Sequence, residues 1–256
     1  MLKEKQLEFN IAEKDGSTYA RSFNVKKLLL GRNTSRNVEG TRQSLDALRA
    51  EGYLIHGNPN VCAKSRYLLT NEDAIEVQGP QTSGEVEYVA IFAGGEIFLS
   101  VGSDHNDRTL YYLWTQALGK VADTAKSKQM CPAVLGRTAW RYADVMDHWD
   151  QLDLKSFVTV RGAKIPYQDF RLADLVDLEY HLRTNPSLRE DGTVLFGGSS
   201  EMLANVPSDV YKGQASIQGL IFPGDFAFEL VDPVLQRKIS HSYTITSLEE
   251  AGSLSL

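Results

Sequence analysis

Only two cysteines, Cys62 and Cys131, occur in the 256-residue chain. They cannot build a disulfide framework, and neither sits in a C-x-x-C pair or near a histidine at zinc-ligand spacing, so two buried free thiols are expected. Long hydrophobic runs are missing as well. No window approaches the roughly 18 consecutive apolar residues of a membrane span, and the opening MLKEKQLEFNIAEKDG lacks the apolar core of a secretory signal. A cytoplasmic protein without a membrane partner is expected. Positive charge is also scarce: 27 Lys plus Arg stand against 33 Asp plus Glu, a formal net charge of −6, and no Lys/Arg run exceeds the pair Lys26-Lys27. That balance argues against extended contact with nucleic-acid phosphates and suits small polar substrates or a metal held by carboxylates. Repeats, low-complexity tracts and long polar linkers are absent from a composition that is 42% apolar and 23% charged, which is that of a globular chain.

What is present reads mainly as strands. Residues 5 to 11 and 23 to 30 form two strands around the turn signal Lys14-Asp15-Gly16-Ser17, and a helix follows in which Val38, Leu45 and Leu48 share a face, ending at Gly52. Residues 57 to 82 are short, Pro- and Gly-punctuated segments. The central strands, 85 to 93 and 96 to 102, are joined by Gly94-Gly95, a dipeptide that tolerates the positive φ of a tight hairpin. A helix is expected over about 107 to 127 and an amphipathic stretch over about 171 to 183, with a hairpin between them turning at Arg161-Gly162. The last quarter is again strand-rich. Strands outnumbering helices predict a mainly-β α+β fold in one compact unit, with residues 1–82 supplying N-terminal strands and a lid-like helix and 83–256 the core.

The strongest chemical feature is Glu85-Val86-Glu87, because strand alternation puts both carboxylates on one face about 7 Å apart. Neighbouring carboxylates repel, so a strand otherwise this apolar places them at a solvated face or neutralises them with a cation. Seventeen residues on, past the Gly-Gly turn, Asp104 can approach that face and add a third carboxylate oxygen. Such ligands suit Mg²⁺ or Mn²⁺, with Ca²⁺ also possible. The competing reading is that Asp104 or Asp107 caps the following helix and pairs with Arg108 at its surface.

These residues resemble the fumarylacetoacetate hydrolase superfamily. The resemblance runs in order over about residues 85 to 245 through Glu85-x-Glu87, Asp104-x-x-x-Arg108, AKSKQMCP (125 to 132), DGTVLFGGSS (191 to 200) and PGDFAFELVDPVL (223 to 235). The finer wording is most similar to a branch called domain of unknown function 2848. The resemblance implies a mixed β-sandwich roll, a homodimer, and Mg²⁺ or Mn²⁺ held by residues that here match Glu85, Glu87 and Asp104. It also implies an enzyme acting on a small β-keto or 2-oxo carboxylic acid or its enol, with hydrolytic C–C cleavage as the default. In such chemistry a divalent cation chelated by the substrate lowers the cost of the carbanion left as the bond breaks.

Further roles follow from the same likeness. Lys128, or Lys126 on the general spacing, adds positive charge near the substrate or passes a proton. Arg108 can bind a substrate carboxylate; Gly198 and Ser199 match a turn that holds substrate oxygens, and Gln129, Tyr111 and Tyr112 are pocket candidates.

One departure matters more than the matches. Hydrolytic members carry a His-x-x-Glu pair on an N-terminal helix, and the helix here, residues 37 to 53, has no histidine. Gln43 or Ser44 stands where the His is expected, and Asp46 or Ala47 near the place of the Glu. Either His56 or His105 activates water instead, or the reaction is a decarboxylation, isomerisation, retro-aldol cleavage or dehydration that needs none. His148, His181 and His241 are expected in structural roles. A non-catalytic binding or scaffold protein keeping the fold is the third reading.

Overall fold

The computed structural model describes residues 5–52, 60–111, 125–200 and 222–251. Its strands are, in chain order, β1 (Lys5–Ala12), β2 (Thr18–Val25), β3 (Lys27–Gly31), β4 (Val61–Lys64), β5 (Leu69–Thr70), β6 (Ala74–Val77), β7 (Thr82–Ser83), β8 (Val86–Ala93) and β9 (Glu96–Asp104). Then come β10 (Asn106–Asp107), β11 (Ala133–Leu135), β12 (Thr138–Arg141), β13 (Asp153–Val160), β14 (Ala163–Arg171), β15 (Thr193–Phe196), β16 (Asp225–Asp232) and β17 (Arg237–Ser247). A large mixed sheet runs β2-β1-β12-β9-β8-β15-β3-β4, with β11 and β5 attached beside β9; a second runs β14-β13-β16-β17-β6, and β10 pairs with β7. This is the mainly-β architecture that the strand-rich sequence predicts.

The central hairpin explains why so apolar a strand can carry acids. Val86, Tyr88, Ala90 and Phe92 of β8 join the core cluster that includes Leu154, Phe226 and Leu230 of the second sheet, while Val89 and Ile91 join a separate cluster with Leu7, Phe9 and Phe98. Both faces of β8 are therefore covered, which is why its sequence reads as a near-continuous apolar run rather than an alternating one. Glu87 shares the parity of Val89 and Ile91 and lies at the end of that second face. The Gly94-Gly95 turn has φ of 62° and 78°, and the Arg161-Gly162 turn 53° and 79°, the conformations that glycine makes easy.

Two segments depart from expectation. The stretch 23 to 30 is two strands, because the N–H groups of Lys26 and Lys27 both turn to the Gly192 carbonyl (2.8 and 3.2 Å) and carry the chain from the β1 hairpin to a parallel pairing of β3 with β15. The amphipathic stretch 171 to 183 is a 3₁₀ turn, Leu172–Asp174, followed by a helix, Leu178–Thr184. Between them the backbone is extended: Val176 N–H donates to Thr34 O (2.8 Å), Leu175 bridges Ser35, and Asp177 then caps the helix at Tyr180 N–H (2.7 Å). Leu172, Leu175, Val176 and Leu182 are all buried nonetheless. Of the helix expected over 107 to 127, residues 108–111 are helical, residues 112–124 lie outside the described residues, and a short helix spans Ala125–Gln129. The helix Val38–Ala50 is capped by Asn37 and buries none of its residues. Both thiols are free; Cys131 is buried, its pKa pushed up to about 12 by that burial, and Cys62 is half-buried.

Candidate metal centre

Three carboxylates converge at the open end of the β8–β9 hairpin. Glu87 lies opposite Gly102 in the register, and Asp104 N–H donates to the Glu85 carbonyl (3.0 Å), which extends the pairing by one residue and sets Asp104 beside Glu85. One oxygen from each of Glu85, Glu87 and Asp104 lies within 4.8 Å of the others. Glu87 and Asp104 are buried and Glu85 is half-buried. The face would be closed to a larger residue at its centre, since a Cβ on Gly102 meets the Phe196 ring at 2.5 Å.

Neighbouring cations answer the repulsion. Lys128 donates to Asp104 Oδ2 and reaches Glu85 Oε2 at 3.4 Å, so its ammonium lies between two of the three acids as a cation would. Arg108 donates to Glu85 Oε1 (2.8 Å) and is itself held by Ser83 Oγ (2.6 Å). Lys64 donates to Asp104 Oδ1 (3.1 Å) and to the His105 carbonyl (3.4 Å), and Gly198 N–H donates to Glu87 Oε2 (2.7 Å). Burial pushes the Glu85 carboxyl up, but the charges and hydrogen bonds of Arg108 and Lys128 outweigh it and bring the pKa down to about 2. Glu87, whose direct donor among the described residues is the Gly198 amide, is driven well above its usual value by burial and by the charge of Asp104. Burial disfavours the Lys128 ammonium, yet the three carboxylates hold it firmly protonated. An all-oxygen, anionic donor set with an ammonium already between two of its members fits a hard divalent cation.

Comparison with known proteins places the fold. Residues 34–243 match the family described as protein of unknown function (DUF2848). The chain belongs to the DUF2848 family. No curated protein matches it in sequence. Among solved structures it resembles 2-keto-3-deoxy-D-arabinonate dehydratase complexed with magnesium and 2,5-dioxopentanoate (TM-score 0.52, 12% identity, 89% of this chain and 77% of that one). It also resembles a proposed fumarylpyruvate hydrolase from Burkholderia cenocepacia (TM-score 0.53, 13% identity, 93% and 91%) and yeast ynq8, a fumarylacetoacetate hydrolase family protein (TM-score 0.54, 13% identity, 87% and 94%). At such identities the likeness establishes the fold, which is that of the fumarylacetoacetate hydrolase superfamily.

In this DUF2848 chain the expected site residues divide. Glu85, Glu87, Asp104, Arg108, Lys128 and Gly198 come together. Lys126 is exposed, so of the two lysines it is Lys128 that meets the acids. Asp107 takes the capping role, accepting from Leu110 N–H (2.8 Å), and Arg108 pairs with Glu85 in the interior rather than with an aspartate at the surface. His105 is sealed away: Nδ1 meets Tyr243 OH and Nε2 meets Thr82 Oγ1, each at 2.8 Å, and burial with the nearby charges of Lys64 and Arg108 lowers its pKa to about 3. It braces the strand end beside Asp104, with both ring nitrogens hydrogen-bonded to hydroxyls. Ser199 donates to the Val86 carbonyl (2.7 Å) and accepts from Gln168 (2.8 Å), and Gln129 clasps Ser65 through two hydrogen bonds; both therefore hold structure around the site. Tyr111 is half-buried with its ring 6.0 Å from the Arg108 guanidinium, while Tyr112 and His56 lie outside the described residues. Gln43 and Ser44 bond back to Glu39 and Gly40 on their own exposed helix.

Two functional neighbours escaped the sequence reading. Lys64 ends a four-residue strand with no motif around it; a single lysine after the apolar Val61-Cys62-Ala63 was its only signal. Gln168 accepts from Val86 N–H (2.9 Å) and donates to Ser199 Oγ and the Ser200 carbonyl (2.8 Å each), tying the start of β8 to the Gly197-Gly198 turn. Nothing local marks it. The turn itself needs its glycines, because a Cβ at Gly197 meets the Tyr88 ring at 1.9 Å and one at Gly198, where φ is +100°, meets Thr34 Oγ1 at 1.9 Å.

Proposed function

We propose that this protein is a divalent-metal-dependent enzyme acting on a small 2-oxo or β-keto carboxylic acid or its enol, with Glu85, Glu87 and Asp104 holding Mg²⁺ or Mn²⁺. The observation that carries the proposal is the convergence of three buried or half-buried carboxylates around the Lys128 ammonium, on a fold shared with a magnesium-complexed dehydratase. When bound, the cation supplies Lewis-acid charge to the oxygens of such a substrate. Glu85 stays ionised because Arg108 and Lys128 hold it so. Glu87, protonated more readily, gives up its proton as the site fills. Lys128, fully protonated and linked to the acids on two sides, stabilises negative charge that develops on a neighbouring substrate oxygen, and it can hold or return a proton there.

Hydrolytic C–C cleavage of an acylpyruvate type is the first form of this proposal. A second, a lyase, decarboxylase or isomerase that uses no attacking water, is favoured by one specific observation: no hydrogen bond joins any described histidine to the triad, and His105, a weak base with its pKa lowered to about 3, has both ring nitrogens engaged by Tyr243 and Thr82. Purified protein assayed on acylpyruvates, oxaloacetate and 2-oxo-3-deoxy sugar acids, with Mg²⁺ or Mn²⁺ and then with chelator, separates them. Metal-dependent cleavage of acylpyruvates alone supports the hydrolase; turnover restricted to the other acids supports the lyase form. Inertness toward every acid with either metal overturns the enzyme reading and leaves a binding protein. Among the described residues no helix is long and apolar enough to cross a membrane. A homodimer, a cytoplasmic location and the division at residue 82 belong to the same proposal.

A further inference from the structure

We propose that Lys64, Arg108 and the Gly198 amide each withhold one oxygen of the triad, so that the site offers three single-oxygen ligands, and that Lys64 thereby makes it discriminate against calcium. The inference rests on the metal reading above and deepens it. Each carboxylate has one oxygen committed to a fixed protein donor: Glu85 Oε1 to Arg108, Glu87 Oε2 to the Gly198 amide, and Asp104 Oδ1 to Lys64. None of these donors is free to swing away. Arg108 is clamped by Ser83, the amide is main chain, and the Lys64 side chain is only 1% exposed and has the His105 carbonyl as its second acceptor. Withdrawal of any of them leaves a buried donor or charge without its partner, which is strongly unfavourable. The opposite oxygens of Glu85 and Asp104 both meet Lys128, on the short helix Ala125–Gln129, which an ion bound between them would have to displace.

Ligand number decides which ions such a set suits. Calcium takes about 6–8 oxygens, commonly with bidentate carboxylates, whereas magnesium and manganese accept about six in an octahedron and readily keep waters. Three monodentate carboxylates provide half an octahedron. For calcium they fall several ligands short, and the second oxygens that could make up the deficit are held by Lys64, Arg108 and Gly198. Lys64 is the donor best suited to testing, since Gly198 acts through its backbone and Arg108 also orders the site.

Calorimetric titration of the purified full chain with Mg²⁺, Mn²⁺ and Ca²⁺ separately, in the wild type, Lys64→Met and Lys64→Gln, tests this. In the wild type Mn²⁺ and Mg²⁺ bind more tightly than Ca²⁺, Mn²⁺ by about tenfold or more. Loss of the Lys64 charge tightens all three ions alike, so the Mn²⁺/Ca²⁺ ratio isolates the effect of the freed oxygen. That ratio falls about tenfold in Lys64→Met and stays near the wild-type value in Lys64→Gln, which keeps a donor for Asp104. Calcium binding as tight as manganese in the wild type overturns the proposal without requiring any variant to fold. An unchanged ratio in folded Lys64→Met overturns the assignment to Lys64, and the metal reading survives either result. Binding of none of the three ions overturns the metal reading and this inference together.

Discussion

Two parts of the molecule gather charge in similar numbers and do opposite things with it. On the helix Val38–Ala50, Glu39, Arg42, Asp46 and Arg49 form a ladder of ion pairs at 2.6–3.1 Å, and each of these side chains is 47% exposed or more. At the end of the β8–β9 hairpin, Glu85, Glu87 and Asp104 meet Lys64, Arg108 and Lys128, whose side chains are no more than 10% exposed. The surface ladder is screened by water and bends no group's chemistry to a task. The interior cluster separates two glutamates two residues apart, one driven down to about 2 and the other pushed well above its usual value. Burial, more than the number of charges, turns a set of ion pairs into a site.

The largest effect that tests this contrast is Asp104→Ala. It leaves Lys64 and Lys128 buried without their shared anion, and the folded state is expected to lose roughly 3–5 kcal/mol in urea denaturation at neutral pH. A loss within error would place the cluster with the surface ladder. Next comes acid. His105 titrates near 3 when folded against about 6.5 unfolded, so below about pH 6.5 the unfolded chain takes up a proton that the folded chain refuses. Stability from this group is present above that value and lost as pH falls toward 3. Between pH 8 and 5.5 the wild type should lose about 1–2 kcal/mol more than His105→Gln, read from denaturation midpoints at each pH.

Glu87→Gln carries the opposite sign. A carboxyl with a raised folded pKa favours the folded state while protonated and costs stability as pH rises above about 4.5. The glutamine imitates the neutral form, so the variant is expected to be more stable than wild type at pH 8 by on the order of 1 kcal/mol, with the gap closing toward pH 5. Its dication binding, measured by calorimetry, should nevertheless be lost. Smallest of all is Arg42→Ala on the exposed helix, for which no measurable shift in the midpoint is expected. A clear destabilisation there would show that the surface ladder is not merely solvated.

Local signals were legible wherever the chemistry is local. Gly94-Gly95 and Arg161-Gly162 announce their turns because few residues accept positive φ, and E-x-E followed by Asp104 marks the triad because strand alternation and a tight turn are short-range geometry. The stretch 23 to 30 was not legible as two strands, since its break depends on a carbonyl at Gly192. Nor was the break after Leu172–Asp174, which is made by pairing with residues 34 and 35. His105 stood out beside Asp104 as a candidate base. Its enclosure by Thr82 and Tyr243, 23 and 138 residues away, could not be read from that neighbourhood.

By itself, the sequence determined the mainly-β α+β class, the central hairpin and the three carboxylates, all consequences of residue type and spacing along one or two adjacent strands. The tertiary structure decided what surrounds those carboxylates. Lys64 arrives from β4, Lys128 from a helix after β10, Arg108 from the segment following β9, and the Gly198 amide from the turn beyond β15. No spacing rule relates them, because a donor's distance from a carboxylate depends on how separate strands order themselves in a sheet. That order also sets which donor meets each oxygen of the three acids.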